Sequence, residues 1–135
     1  MPDKIVPPEL YTKEYYLTDC DGHREYISGM EDKLHEKFSM ILSMIEMRSG
    51  MRIFDIGCGR GELVYLFARQ GAYVDGIDYS KDSIVLSKQT VSQLPEDDKK
   101  RVTLTATCAE EFPLKEQYDY VFMTDVLEHM HDWQL

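Results

Sequence analysis

The sequence predicts an α/β domain on a parallel, doubly wound sheet of about four strands, and three observations carry that prediction. Four short apolar runs, Met51–Ile56, Tyr73–Asp78, Val102–Thr107 and Tyr118–Asp125, are rich in β-branched and aromatic residues, as strands are. Between the first three lie segments with apolar residues at helical spacing, so strand and helix alternate as in successive βαβ units. The first run leads directly into Gly57, Gly59 and Gly61, a turn that opens a helix. A chain of 135 residues supports one domain, and its 43% hydrophobic content suffices for a core.

Taken in order, residues 1–28 hold three of the five prolines together with Tyr11, Tyr15, Tyr16 and Tyr26, and show no sustained apolar period. They read as an N-terminal arm with one short helix, its amphipathic tyrosine rings packing it onto the body. The remainder, 29–135, is the ligand-binding domain. From Glu31 to Arg48 the apolar residues Leu34, Phe38, Ile41, Leu42 and Ile45 form one stripe of an amphipathic helix, with Gly50 as its stop. Met30, Met40, Met44, Met47 and Met51 cluster in this region as adaptable core filler rather than soft-metal ligands. After the glycine turn, Leu63, Val64, Leu66 and Phe67 predict a helix ending at Gly71. The second strand follows and ends on Asp78. Ser80 is placed to cap the next helix, with Asp82 in its first turn, and Ile84, Leu86, Lys88, Val91 and Leu94 carry it to Pro95. Glu96 to Arg101 is a charged run that reads as a solvated loop. The fourth strand is nearly continuous in apolar residues, as one buried on both faces should be.

The chemistry centres on the glycine turn. Asp55 stands two residues before its first glycine and Glu62 just after its last. A dinucleotide fingerprint reads G-x-G-x-x-G, whereas this turn reads G-x-G-x-G with Glu62 in the sixth place. Two flanking carboxylates repel a pyrophosphate, and no P-loop lysine follows the glycines to hold a triphosphate. A ligand with a cationic end and no phosphate suits the turn better. Asp78 lies 17 residues beyond Gly61, at the end of a strand, where a carboxylate can accept charge-assisted hydrogen bonds from both hydroxyls of a ribose. An ordinary turn or N-cap aspartate is the alternative reading, and Asp78 by itself does not choose between adenosine ligands.

Asp55-Ile56-Gly57-Cys58-Gly59-Arg60-Gly61 resembles the first motif of the class I S-adenosylmethionine-dependent methyltransferases, whose fold is Rossmann-like. Three further stretches agree with that family in order: the strand ending at Asp78, the loop Cys108-Ala109-Glu110-Glu111-Phe112-Pro113-Leu114, and the fourth strand with Asp125-Val126-Leu127-Glu128-His129. The resemblance spans residues 50–130. It implies S-adenosylmethionine as cofactor and S-adenosylhomocysteine as product. It implies cofactor contacts at Asp55, Gly57, Cys58, Gly59, Gly61, Glu62, Asp78 and Tyr79, at Cys108, Ala109 and Glu110 beneath the adenine, and at Asp125 near the methionine moiety. Many members place an aspartate where Cys108 stands, which leaves a backbone contact at Ala109. The helix after the fourth strand faces the acceptor in this family, so Glu128 and His129 are the catalytic candidates, His129 as a base for acceptors whose proton must leave. Tyr11, Tyr15 and Tyr16 are placed to form part of a lid over the cofactor, since segments before the first strand commonly do so in the family. Asp125, Glu128, His129 and His131 also make a divalent ion conceivable, as in small-RNA 3′-end relatives with Glu-x-x-Glu-His, although here the first position is Asp and no metal is expected.

The net charge of −10 disfavours nucleic acid and anionic membrane surfaces as partners. No apolar run approaches the ~20 residues of a membrane span, and the N-terminus lacks a signal-peptide pattern, so cytoplasmic residence is expected. Cys20, Cys58 and Cys108 are odd in number and widely spaced, hence reduced thiols. The run Tyr11-Thr12-Lys13-Glu14-Tyr15-Tyr16-Leu17 with Cys20-Asp21-Gly22 resembles bacterial stand-alone methyltransferases of small molecules or glycans, which is the acceptor class expected. The family's sheet has seven strands, so a chain ending at Leu135 is expected to be a fragment or to associate through the exposed edge of its fourth strand. Two rivals stay open: a cofactor-binding module without catalysis, and a nicotinamide oxidoreductase.

Overall fold

The computed structural model describes residues 7–18, 36–114 and 117–124. Four strands, β1 (Arg52–Ile56), β2 (Tyr73–Asp78), β3 (Val102–Ala106) and β4 (Tyr120–Phe122), form one parallel sheet in the order β3-β2-β1-β4. A 3-10 turn at Pro8–Leu10 and helix α1 (Lys13–Thr18) make up the described arm, followed by α2 (Glu36–Ser43). Helices α3 (Glu62–Arg69) and α4 (Lys81–Val91) connect the first three strands, and a short α5 (Glu96–Lys99) precedes β3.

This order decides where a ligand can sit. The chain steps from β1 to β2 to β3 in one direction, and right-handed crossovers place α3 and α4 on the same face. Their apolar side chains share one core with the sheet: Leu63, Val64, Phe67 and Ile84 pack with Ile53 and Val74, and Phe38 of α2 joins them. Phe67 stacks on Phe122 of β4 at 4.9 Å. The chain then reverses to reach β4 on the other side of β1. That reversal opens a crevice beyond the carboxyl ends of β1 and β4, the place where open α/β sheets bind ligands.

Helix α3 ends in a Schellman motif, with Gly71 (φ 90°) donating to the Ala68 carbonyl at 3.0 Å and Ala72 to that of Phe67 at 3.1 Å. Gly71 is thus the helix stop the sequence predicts. Gly50 is not. Helix α2 ends at Ser43, well before Arg48, and its predicted start from Glu31 lies outside the described residues. Gly50 instead sits in the turn Arg48–Met51, with its N–H on the Gly71 carbonyl at 2.9 Å. The Ser43 hydroxyl donates to the Met40 carbonyl at 2.7 Å and so competes with a further turn of helix, while Ile45 and Met47 still reach the core from irregular chain.

Two other expectations change. The charged run is helix α5 rather than a loop: Pro95 starts it in extended geometry, Glu96, Asp97 and Asp98 lie at its positive end, and Lys99 and Lys100 pair with Glu96 and Asp97 at 2.8 and 3.4 Å. Strand β4 is not buried on both faces. Tyr120 and Phe122 are half-buried on the α3 side, whereas Val121, in register with Phe54 on the opposite face, is 55% exposed. On that face Phe54 is covered by rings from the β3–β4 connection, Phe112 and Tyr118, each centred 5.0 Å away.

Gly61 begins α3 with φ 85°, and a Cβ there would lie 2.8 Å from Ser87 Cβ and 3.0 Å from Ser87 Cα. Gly50 has a similar φ of 86° but open space around it. Urea unfolding should therefore find Gly50→Ala destabilised by about 1–2 kcal/mol from backbone strain alone, and Gly61→Ala by about 2–4 kcal/mol because overpacking is added. Equal losses would contradict this packing.

Candidate functional site

The glycine turn is built by its neighbours as much as by itself. The β1–β2 ladder continues past the end of β1, with the N–H groups of Gly57 and Cys58 both donating to the Ile77 carbonyl at 2.8 and 2.9 Å. Gly61 donates to the Cys58 carbonyl at 2.9 Å and closes the turn. Asp78 then ties the turn to β2: one carboxylate oxygen accepts from Gly59 N–H at 3.0 Å and the other from Ser80 N–H at 2.9 Å. Helix α4 supplies the rest. Its Ser83 hydroxyl donates to the Gly59 carbonyl at 2.9 Å and its Thr90 hydroxyl to the Arg60 carbonyl at 2.7 Å. Ser83, Ser87 and Thr90, spaced i, i+4 and i+7, are fully buried and form a stripe of small residues that lets the turn approach the helix. Ser80 caps α4 as its sequence position predicts, accepting from Ser83 N–H at 3.2 Å.

Three carboxylates converge here, Asp55, Glu62 and Asp78, all buried. Glu62 is not the open anionic flank the sequence suggests. Arg60 grips both of its oxygens, Nε to Oε1 at 2.8 Å and Nη2 to Oε2 at 3.1 Å, inside the protein. Burial raises the Glu62 carboxyl above its ordinary range, and the bonds and charge of Arg60 oppose that rise. Burial likewise raises Asp78, opposed by the N–H groups of Ser80 and Gly59. Asp55 is pushed up to about 8, by burial first and then by the charges of Asp78 and Glu62. Among the described residues its Oδ1 is buried without a hydrogen-bond partner. Repulsion by two open carboxylates is therefore not what disfavours a pyrophosphate. The stronger reason is that the N–H groups of Gly57, Cys58, Gly59 and Gly61, which a phosphate cradle would need, are already engaged.

The arm lies across this turn. Arg60 Nη1 donates to the Tyr16 carbonyl at 2.9 Å, the Ser80 hydroxyl to the Tyr11 carbonyl at 2.7 Å, and Lys13 N–H to an Asp82 carboxylate oxygen at 2.9 Å. Tyr11, Tyr16 and Leu86 form a small buried cluster, with Tyr15 and Tyr79 against it. A Cβ at Gly59 would stand 3.6 Å from the Tyr16 ring. Sequence reasoning missed Arg60 and the small-residue stripe of α4. The Arg60–Glu62 spacing gave the one available signal, an opposite charge two residues away.

The loop after β3 begins beside Asp78, with Thr107 N–H on the Asp78 carbonyl at 2.9 Å, and Glu111 N–H turns back to Cys108 at 3.2 Å. Cys108 and Glu110 are exposed and Ala109 is half-buried. Cys58 is buried, its thiol raised well above the ordinary range by burial and by Asp55 and Asp78. Asp125, Glu128, His129 and His131 lie outside the described residues, as do Cys20 and Tyr26. Among the described residues, no group of three His, Cys, Asp or Glu could hold a metal ion.

Residues 54–135 match the family described as "Methyltransferase domain". The ubiquinone biosynthesis O-methyltransferase of Rhodopseudomonas palustris strain HaA2 is 37% identical over 108 residues, and that of Bradyrhizobium sp. strain ORS 278 is 33% identical over 106, each match covering 78% of this chain and 40% of the relative. The chain thus spans about two fifths of the length of the curated relatives it matches. Among solved structures, a SAM-dependent methyltransferase from Geobacter sulfurreducens in complex with S-adenosyl-L-homocysteine superposes with a TM-score of 0.63 at 20% identity, over 86% of this chain and 42% of that one. Another from Thiobacillus denitrificans, also in complex with S-adenosyl-L-homocysteine, gives 0.62 at 22% identity over the same shares, 86% and 42%. At these identities the likeness is one of fold.

The Asp55 carboxyl sets a pH dependence of stability. Its folded value near 8 lies above the ordinary 3.8, so the folded state holds the extra proton between those values and stability falls as pH rises from about 4 to about 8. Asp55→Asn removes that slope. Thermal melts should show the variant more stable than the parent at pH 8, by on the order of 2–4 kcal/mol, with the gap closing toward pH 4. A gap that is constant with pH would contradict it.

Proposed function

The chain belongs to the class I S-adenosylmethionine-dependent methyltransferases, and from that membership we propose that it binds S-adenosylmethionine and transfers its methyl group to an oxygen of a small organic acceptor. The observation that carries the reading is Asp78. Its carboxylate grips Gly59 and Ser80 and has lone pairs left for two ribose hydroxyls, so the turn and the ribose acceptor are one unit. Asp55, with an oxygen that has no donor, suits the cationic end of the methionine moiety. Gly57, Gly59 and Gly61 let backbone approach the ligand, and Tyr79, Cys108, Ala109 and Glu110 stand on the adenine side. The cofactor, when bound, supplies a methyl group made electrophilic by its sulfonium.

The chain's own residues have three tasks in this reading. Tyr11, Tyr15 and Tyr16 keep water from the ligand. The crevice at the end of β1 and β4 aligns the acceptor with the methyl group, which is most of what such a transfer requires. His129, outside the described residues like Asp125 and Glu128, is assigned the proton of an acceptor hydroxyl, and Asp125 and Glu128 are assigned contacts to the cofactor or the acceptor. Oxygen as the acceptor atom is supported by relatives named as O-methyltransferases of ubiquinone biosynthesis. Among the described residues no helix is long and apolar enough to cross a membrane, and we place the activity in the cytoplasm. A binding module without transfer is the second reading.

Isothermal titration should detect S-adenosylmethionine and S-adenosylhomocysteine but not NAD, and Asp78→Asn should weaken both by roughly tenfold or more. Binding of NAD alone would overturn the reading. Tyr16→Ala tests the lid: an unchanged cofactor affinity would remove that role. Transfer of a labelled methyl group to any member of a panel of hydroxylated small molecules separates enzyme from binding module.

A further inference from the structure

We propose that the Asp55 carboxyl carries a proton in the ligand-free protein and gives it up to solvent when a ligand ammonium seats beside it, so that cofactor binding is coupled to proton release. The proposal deepens the cofactor reading above and rests on it for the identity of the ligand. Of the three buried carboxylates in the site, two have hydrogen-bond donors on both oxygens. Asp78 accepts from Ser80 N–H and Gly59 N–H at 2.9 and 3.0 Å, and an anion is what two donors on two oxygens favour. Glu62 accepts from Arg60 at 2.8 and 3.1 Å. Asp55 is only 1% exposed, and among the described residues its Oδ1 has no donor. Where carboxyl groups crowd together and one lacks partners, that one takes the proton.

The surroundings of Asp55 agree. Burial first, and then, among the described residues, the charges of Asp78 from β2 and Glu62 from α3, both carboxylates, push it up to about 8. In the sheet its register partners are Gly76 of β2 and Phe122 of β4, neither of which titrates. Cys58, in the turn, has its own thiol raised by Asp55. The Arg60 guanidinium is directed to Glu62 and to the Tyr16 carbonyl, and Lys37 of α2 acts on Glu62. An orphan acceptor oxygen calls for an N–H donor, which an ammonium supplies and a sulfonium does not. In the coupled step the O–H bond of Asp55 breaks, the proton passes to buffer, and a carboxylate–ammonium pair forms.

Calorimetric titration with S-adenosylhomocysteine, which keeps the ammonium and lacks the sulfonium, tests this at pH 7 in two buffers of different ionisation heat. Release of about one proton is expected, with an affinity that rises about tenfold from pH 6 to pH 7. 5′-Methylthioadenosine, which lacks the amino-acid tail, should release none, and Asp55→Asn should abolish both the release and the pH dependence. Equal heats in the two buffers, or undiminished release in the variant, would overturn the proposal. Infrared spectroscopy of the ligand-free parent protein decides it without any ligand. A protonated-carboxyl band at pH 7 that disappears as pH passes 9, and that Asp55→Asn lacks, is expected, and absence of that band refutes proton storage. Failure of every adenosyl ligand to bind would count against the cofactor reading alone, since the infrared result still stands.

Discussion

Most of the polar backbone of the turn between β1 and α3 is satisfied from outside, and much of the structure's architecture follows from how that is done. Over the five residues from Gly57 to Gly61 the chain makes one backbone bond of its own, Gly61 N–H to the Cys58 carbonyl, and its other hydrogen-bonded amides and carbonyls find partners outside the turn. Here β2 takes the amides, through the Ile77 carbonyl and the Asp78 carboxylate, while α4 takes the carbonyls through Ser83 and Thr90. For those hydroxyls to reach, α4 must lie close, and Gly61 against Ser87 leaves no room for a side chain between them. The position of the second βαβ unit is thus tied to the turn it serves.

The same assembly distributes charge. Burying three carboxylates together is unfavourable unless each finds a donor or a proton. Arg60 meets this need for Glu62, and in reaching inward it also holds the Tyr16 carbonyl, so the arm is fastened to the turn by the residue that neutralises it. Ser80 repeats the pattern on the other side, capping α4 while its hydroxyl holds Tyr11. Among the described residues the Asp55 Oδ1 is left without a donor, next to the carboxyl end of β1 where the glycine turn begins. Stability given up there is the usual mark of a site shaped for a ligand.

Much of this was legible in the sequence. The strands β1, β2 and β3, the helices α3 and α4, the Ser80 cap and the Gly71 stop all follow from local patterns whose physics is local: β-branched runs, helical spacing, a capping hydroxyl, a left-handed glycine. What the sequence concealed depends on partners distant along the chain. The stripe Ser83, Ser87, Thr90 looks like ordinary polar surface until the turn is laid against it. The Arg60–Glu62 pair is the local exception, two residues apart at a spacing that no helical rule brings together. Gly50 carried the signature of a helix stop, and its tie to Gly71 in the neighbouring turn redirected it. Strand β4 read as doubly buried because its composition is apolar, yet only its Tyr120 and Phe122 side meets α3, through Phe122 on Phe67.

The two rims of the sheet are bound differently. At the amino ends of the strands the chain is stitched across itself: Gly50 to Gly71, Tyr73 to Met51, Val74 to Arg101 and Asp119 to Arg52, all by backbone bonds between 2.8 and 2.9 Å. Arg52 N–H returns the last of these to an Asp119 carboxylate oxygen at 2.8 Å. An insertion on that rim would break several ties at once. On the opposite rim the connection from β3 to β4 sets out with Thr107 N–H on the Asp78 carbonyl at 2.9 Å and lays the Phe112 ring on Phe54, and it returns to the amino rim at Tyr118, whose hydroxyl donates to an Asp75 carboxylate oxygen at 2.6 Å. A change of length between Thr107 and Tyr118 therefore leaves the ladders that join β1, β2 and β3 in place.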